Sequence, residues 1–253
     1  MKKNSRIRIG ITGQSGFIGS RLSQKLADLP ERFKIIPFRS SFFSDAAALS
    51  DFVGRCDTVV HLACLNRHED PEFLYRTNIE LTQKLILALN ERPEKQRAVV
   101  YASSIREYEN GLYGKAKLHS RLLLEEWAAG SQSPFAGLVI PNTFGPGAKP
   151  FHNSFIATFC RQLILGQTPV VTENREVPLL HIDTLCKSAI RRISSRFSGI
   201  SRHKIRPDFR MNVSDALGHL KRFHEMYQTH GQIPLSGEPA LDLLRETFLS
   251  HLS

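Results

Sequence analysis

The sequence predicts an α/β fold, a doubly wound parallel sheet followed by a small, mainly helical C-terminal lobe. Three observations lead there. Short β-branched runs alternate with helix-period segments as far as Ile140, a glycine-rich turn follows the first of those runs, and after Pro141 the alternation loosens into proline and glycine loops.

Arg6–Thr12 (RIRIGIT) reads as the first strand, and Phe17–Leu29 as a helix with Ile18, Leu22, Leu26 and Leu29 on one face. Phe33–Phe38 (FKIIPF) is a second strand, followed by a polar connection and a short helix around Asp45–Val53. Asp57–Ala63 (DTVVHLA) is a third, buried strand, within which His61 reads as core. Thr77–Asn90 is a helix with Ile79, Leu81, Leu85, Ile86 and Leu89 inward, Arg97–Ala102 a fourth strand, Tyr113–Ala129 a long helix and Phe135–Ile140 a fifth strand. Beyond Gly145, Pro146, Gly147 and Pro150 come a helix at Ser154–Leu165, a strand at Glu176–Ile182 and a helix at Thr184–Ile193. The remainder, with Asp215–Tyr227 and Ala240–Leu252, reads as helical. We therefore expect residues 1–142 to form the nucleotide-binding domain with 176–195 returning to it, and 143–175 with 196–253 to form the lobe.

The turn Thr12–Gly19 (TGQSGFIG) has TGxxGxxG spacing directly after a strand and at the head of an amphipathic helix. Gly13 permits the tight turn, Gly16 lets backbone approach a pyrophosphate, and Gly19 lets helix pack on strand, with the helix N-terminus facing negative charge. This makes the sheet Rossmann-type. A site that prefers NAD ends its second strand with a carboxylate for the ribose hydroxyls, whereas here the strand runs into Pro37, Phe38, Arg39, Ser40 and Ser41. Arg39 can pair with a 2′-phosphate, which favours NADP over NAD; the competing reading is a solvated loop arginine.

Ser104 follows the fourth strand, and Tyr113–Lys117 (YGKAK) places a tyrosine and a lysine four residues apart on one helix face. Lys117 is expected to lower the Tyr113 phenol pKa, leaving Tyr113 as the acid, with the Ser104 hydroxyl bound to the reacting oxygen and Lys117 also holding the nicotinamide ribose.

The 253 residues, 41% hydrophobic and 23% charged, suffice for a full core. Cys56, Cys64, Cys160 and Cys186 lie in apolar runs without CxxC spacing and read as reduced core thiols. With Met1–Arg8 leading straight into a strand, and with no apolar run of the roughly 20 residues a span needs, this points to the cytoplasm and no membrane span. No metal-ligand spacing occurs. The net charge of +10 is spread out; the nearest approach to a cluster, Arg191 to Arg206, lacks interleaved aromatics other than Phe197 and reads as a solvated helix end and loop, not a nucleic-acid patch.

In this order TGQSGFIG, DTVVHLA, YASS (Tyr101–Ser104) and YGKAK resemble the extended short-chain dehydrogenase/reductase family, the NAD-dependent epimerase/dehydratases, as far as Ser195. VHLACLNRHED (Val60–Asp70), SSIREYENGLYGKAK (Ser103–Lys117), PNTFGPGAKPFHNSFIATFC (Pro141–Cys160) and VTENREVPLLHID (Val171–Asp183) are similar to the reductase part of CapF-type capsular polysaccharide enzymes, which are UDP-sugar 4-ketoreductases. The short Ser104 to Tyr113 separation is shared with that subgroup.

The resemblance implies NADPH-dependent reduction of the C4 keto group of a nucleotide-linked 4-keto-6-deoxy sugar, with a homodimer as the candidate assembly. It implies Phe17, Ile18, Leu62, Ala63 and Pro141 as further cofactor contacts, and Asn66, Arg67, Asn142, His152, Asn153 and Arg175 as substrate contacts beside Ser104. There are departures: Leu112 stands for a proline, Cys64 for a glycine and Val139 for an arginine, and the chain ends before a cupin domain with its epimerisation. The alternatives are an epimerase with retained NAD and a non-catalytic NADP sensor. Dehydration is disfavoured, because Ile105 and Arg106 follow Ser104 where an acid/base carboxylate pair is needed.

Overall fold

The structure, a computed structural model, describes residues 6–252. The expected lead into the first strand falls, for Met1–Ser5, outside the described residues. In chain order the elements are β1 (Ile7–Thr12), α1 (Phe17–Ala27), β2 (Phe33–Ile36), α2 (Ala46–Gly54), β3 (Thr58–His61), α3 (Pro71–Asn90), β4 (Ala98–Ser104), α4 (Leu112–Ser131) and β5 (Phe135–Ile140). There follow β6 (Asn142–Phe144), α5 (Phe155–Ile164), β7 (Glu176–His181), α6 (Ile182–Ser194), β8 (Ile200–Lys204), β9 (Phe209–Asn212), α7 (Val213–His230) and α8 (Pro239–Leu249).

The chain forms two units, one running to Ile140 and taking in Cys186–Ile205, the other comprising Pro141–Leu185 and the chain from Arg206. In the first, six parallel strands lie in the order β2-β1-β3-β4-β5-β8. Every residue of β3 and β5 is buried, as expected of central parallel strands covered on both faces, and this is why their sequences read as continuous apolar runs. Phe52 of α2, Leu85 of α3 and Leu124 of α4 pack with Val59, Val99 and Phe135 in one cluster. Burying each such side chain contributes roughly 1.5–3 kcal/mol. The winding reverses between β1 and β3, so the loops leaving these two strands diverge and open a crevice at their carboxyl ends.

The second unit holds a three-stranded sheet, β6-β7-β9, with α5, α7 and α8. Its core gathers Phe144, Ile156, Phe159, Leu179, Leu220, Leu244 and Phe248.

Three expectations are corrected. The strand at Glu176 does not return to the main sheet: β7 pairs in parallel with β6 and antiparallel with β9, because Asn142–Phe144 and Phe209–Asn212 supply short partner strands that periodicity does not reveal. The returning segment is Cys186–Ile205, not 176–195, and the first unit closes at Ile140, so Pro141 and Asn142 belong to the second. Arg202, His203 and Lys204, expected in a loop of the lobe, lie in β8, which pairs with β5 from Phe135↔Ile200 to Val139↔Lys204. As an edge strand it is only partly covered, and charged residues suit it. A smaller difference concerns α3, which starts at Pro71, ahead of Thr77: the Asp70 carboxylate accepts from Glu72 N at 2.8 Å and Phe73 N at 3.1 Å, and Pro71 occupies the first turn.

Candidate active site

The crevice is built from glycine geometry and one buried polar chain. Gly13 has φ +73°, and a Cβ there would lie 2.8 Å from Ala63 N, so the turn after β1 adopts a backbone favourable only to glycine and presses on the loop after β3. A Cβ on Gly19 would come 2.2 Å from the Gly13 carbonyl oxygen. The first turn of α1 carries no acidic residue, and Gly16 provides no side-chain cap to its N–H groups. An N-terminus of that kind, with backbone amides and the positive end of the helix dipole, suits a diphosphate. At the β3 side, the Thr12 hydroxyl lies 2.7 Å from His61 Nδ1 and accepts from Leu62 N and Ala63 N at 3.2 and 3.3 Å. His61 is 1% exposed, and burial pushes its pKa down to about 3, so the ring is neutral.

Phe38 N donates to Gln14 Oε1 at 3.2 Å, which ties the end of β2 to the glycine turn. Arg39 and Ser40 are exposed at the head of a short 3-10 turn, Ser40–Ser44. The next carboxylate, Asp45, is spent capping α2, accepting from Ala48 N at 3.0 Å. The donors at this position are therefore cationic or neutral, which fits an adenosine 2′-phosphate.

Ser104 ends β4 opposite Ile140, and its Oγ accepts from Arg106 N at 3.2 Å. Tyr113 and Lys117 occupy successive turns of α4. Lys117 is buried; its Nζ donates to the Ala102 carbonyl at 2.9 Å and lies 5.8 Å from the Tyr113 ring centroid and 5.3 Å from that of Tyr101. The Tyr113 hydroxyl donates to Asn66 Oδ1 at 3.3 Å, and the Arg106 guanidinium sits 5.4 Å over the Tyr113 ring while bonding Glu109 at 2.9 Å. Beside Tyr113 opens a cleft of about 490 Å³ lined by Asn66, Arg67, His68, Leu74, Arg106 and Leu112, among others.

The electrostatics differ from expectation in one respect. Burial raises the Tyr113 pKa, and although Lys117 and Arg106 pull it down, the net direction is upward. Lys117 does act in the expected sense but is outweighed. For Lys117 itself, burial disfavours the ammonium, yet Cys64, Tyr101 and Tyr113 together more than offset this, so the group is held protonated.

Sequence reasoning missed several residues that build the site. Cys64, read as a core thiol, is only partly buried and acts electrostatically on both Tyr113 and Lys117; Cys56, Cys160 and Cys186 are buried as expected, and none of the four is in a disulfide. Asn78 of α3 clamps the loop that carries Asn66: Leu65 N donates to its Oδ1 at 2.7 Å and its Nδ2 donates to Leu65 O at 2.9 Å. A polar residue interrupting the inward stripe of α3, in line with Leu74, Leu85 and Leu89, was the available signal for a buried polar role, though not for its partner. Arg106 was noted only as a non-carboxylate.

The remaining predicted residues lie in the second unit. The Pro141 carbonyl accepts from the Thr143 hydroxyl at 3.2 Å, and Asn142 starts β6 in register with Leu179. His152 and Asn153 are exposed in the turn before α5, and Arg175 pairs with Glu173 at 3.4 Å. Among the described residues no group of His, Cys, Asp and Glu is placed to hold a metal ion, and no helix is long and apolar enough to cross a membrane.

Comparison with known proteins finds relatives of the chain as a whole. A UDP-2-acetamido-2,6-beta-L-arabino-hexul-4-ose reductase of Pseudomonas aeruginosa is 27% identical over 219 residues, 86% of this chain and 58% of that protein. The crystal structure of the capsular polysaccharide assembling protein CapF from Staphylococcus aureus superposes with a TM-score of 0.75 at 25% identity, covering 97% of this chain and 65% of that one. The chain thus spans less than two thirds of the length of either. RMD from Pseudomonas aeruginosa, solved with NADPH, shares the fold with a TM-score of 0.80 at 20% identity over 97% of this chain and 98% of that one. The model of the NAD dependent epimerase/dehydratase family matches residues 9–199, and the chain belongs to that family.

Proposed function

We propose that this protein uses NADPH to reduce the C4 keto group of a nucleotide-linked 4-keto-6-deoxy sugar, in the cytoplasmic stage of cell-surface polysaccharide synthesis. The observation that carries the reading is the Tyr113–Lys117 pair beside an open cleft, with a phenol whose proton is retained. NADPH, when bound, supplies the hydride. Gly13, Gly16, Phe17, Ile18 and Gly19 hold its diphosphate, Arg39 and Ser40 its 2′-phosphate, and Leu62 and Ala63 flank it, while Lys117 holds the ribose; Pro141, in the second unit, is a cofactor contact on the resemblance alone. Tyr113 donates its hydroxyl proton to the ketone oxygen as that oxygen gains charge, and Ser104 hydrogen-bonds the same oxygen. Lys117 remains an ammonium and stabilises the phenolate that Tyr113 becomes.

Substrate selection falls to Asn66 and Arg67 at the cleft; Asn142, His152, Asn153 and Arg175, in the second unit, are substrate contacts on the resemblance alone. The 4-keto sugar named for the Pseudomonas aeruginosa relative supports the substrate class. Dehydration lacks a free acid/base carboxylate on the turn after Ser104, since Glu107 is buried against Arg121 and Glu109 is paired with Arg106. The test is NADPH oxidation across UDP-, GDP- and dTDP-linked 4-keto-6-deoxy sugars. Stoichiometric consumption is expected with one of them; a tightly retained NAD that turns over without net change would instead identify an epimerase.

A further inference from the structure

Nine positions separate Ser104 from Tyr113, and in that distance the chain must leave β4, turn and start α4 with both side chains placed. Ser103 Oγ donates to Glu107 Oε2 at 2.5 Å, and Arg121 Nε donates to the same oxygen at 2.9 Å. Arg121 Nη1 also donates to Glu125 Oε1 at 2.6 Å. The Glu107 side chain is 0% exposed and that of Arg121 5%. We propose that the buried Glu107–Arg121 ion pair positions Ser104 relative to Tyr113 and Lys117, joining the end of β4, the turn Ile105–Tyr108 and the face of α4 at one oxygen atom.

Helix spacing supports this. Arg121 follows Lys117 by one i,i+4 step and Tyr113 by two, so fixing Arg121 fixes the face that presents the other two. The surroundings are shaped around the pair. A Cβ on Gly137 of β5 would lie 3.0 Å from Arg121 Cδ, and a Cβ on Gly114 would lie 2.0 Å from the Arg106 carbonyl oxygen. The strand thus leaves room for the arginine, and α4 sits directly on the turn that holds Glu107. A buried ion pair adds little stability over apolar side chains of the same volume, because desolvation offsets its attraction. What it does supply is a directional, charge-assisted geometry. In this site that geometry falls one residue before Ser104 and one turn beyond Lys117. Glu107 and Arg121 are positioning residues: neither is placed at the reacting oxygen, and both act through the backbone that carries those that are.

The kinetic part of the test rests on the reductase reading. The double variant Glu107→Gln/Arg121→Met removes both charges and keeps the volume. We expect its kcat to fall ten- to a hundredfold, as for a displacement of about 1 Å at a reacting group, with the NADPH Kd and the sugar KM within twofold of wild type. A folded double variant whose kcat stays within threefold of wild type would overturn the proposal. Should the double variant fail to melt cooperatively, Arg121→Lys, which keeps a cation for Glu107 but loses the guanidinium that bonds Glu107 and Glu125 together, decides by the same criterion. If the wild-type protein reduces none of the 4-keto sugars, the functional reading fails and a different readout decides the positioning. Carbon-13 NMR of the Tyr113 ring carbon across a pH titration should then move between wild type and variant, whereas coincident titration curves would refute the positioning role.

Discussion

Replacing Gly16 by alanine adds one methyl group where the backbone is already ordinary, since φ is −75° and ψ 171°. The added carbon would meet a single atom, the Gly13 carbonyl oxygen, at 3.2 Å, a contact relieved by a shift of a few tenths of an ångström. The fold should therefore lose less than about 1 kcal/mol, or about 4 °C in melting temperature for a chain of this size. The same methyl thickens the turn where, in the proposed reading, the diphosphate lies against backbone. The NADPH Kd should rise about tenfold or more, equivalent to about 1.4 kcal/mol. Gly19→Ala is the counterpart, because its Cβ would lie 2.2 Å from the Gly13 oxygen and 2.9 Å from Gln14 Cα. It must retreat by about 1 Å to reach van der Waals contact, overpacking that costs about 1–3 kcal/mol and should lower the melting temperature by roughly 2–12 °C. Scanning calorimetry and titration of NADPH fluorescence on both variants separate the effects. Unchanged NADPH affinity in Gly16→Ala would refute the placement of the diphosphate, and equal destabilisation by both substitutions would refute the packing argument.

Tyr113→Phe keeps the ring under Arg106 and removes only the proton donor, so kcat should drop about 10²- to 10⁴-fold with NADPH binding intact; retained turnover would exclude Tyr113 as the acid. Arg39→Ala should weaken NADPH about tenfold, the loss of one exposed charge-assisted contact, and leave NADH affinity unchanged, so parallel losses for both cofactors would count against a 2′-phosphate role. His61 is neutral in the fold at a pKa of about 3, while the unfolded chain titrates near 6.5, so the unfolded state binds the extra proton between these values and stability falls as pH falls. From pH 8 to pH 5 the loss due to this group is about 2 kcal/mol, and urea unfolding of wild type against His61→Asn should show a steeper acid dependence in the wild type. Asn78→Ala leaves Leu65 N and O without their clamp and should cost roughly 2–3 kcal/mol, while raising the sugar KM through the loop that carries Asn66; a KM unchanged at reduced stability would separate that loop from substrate binding.

Much of the main sheet was legible because parallel strands buried on both faces leave continuous apolar runs: Phe135–Ile140 was read with its exact limits, and Thr58–His61 lies within the strand expected there. The edge strand Ile200–Lys204 alternates exposed and half-buried residues with Arg202 and Lys204 among them, and such a pattern looks the same as a solvated loop. Asn142–Phe144 is too short to carry any period. In the site, the placement of Gly13, Gly19, Tyr113 and Lys117 was readable because it depends on fixed spacing along one turn or one helix. Asn78, Cys64 and Glu107 were not, since each acts across elements far apart in sequence, and nothing in a linear pattern pairs Asn78 with Leu65 or Glu107 with Arg121.

The direction of the Tyr113 shift bears on the role proposed for its phenol. A tyrosine that starts catalysis by taking a proton from a hydroxyl must first be a phenolate, which calls for the cation beside it to outweigh burial. Here burial, together with Cys64, outweighs Lys117 and Arg106, so the resting phenol keeps its proton through neutral pH. Lys117 meanwhile cannot act as the competing donor, because it is fixed on the Ala102 carbonyl and held as an ammonium. In the proposed reading the proton given to a substrate oxygen is that of Tyr113, and a phenol that rests with its proton in place is prepared to protonate an oxygen that is gaining charge. That is the requirement of ketone reduction, and it gives the cation pair around the ring a role after the transfer, in stabilising the phenolate, more than before it.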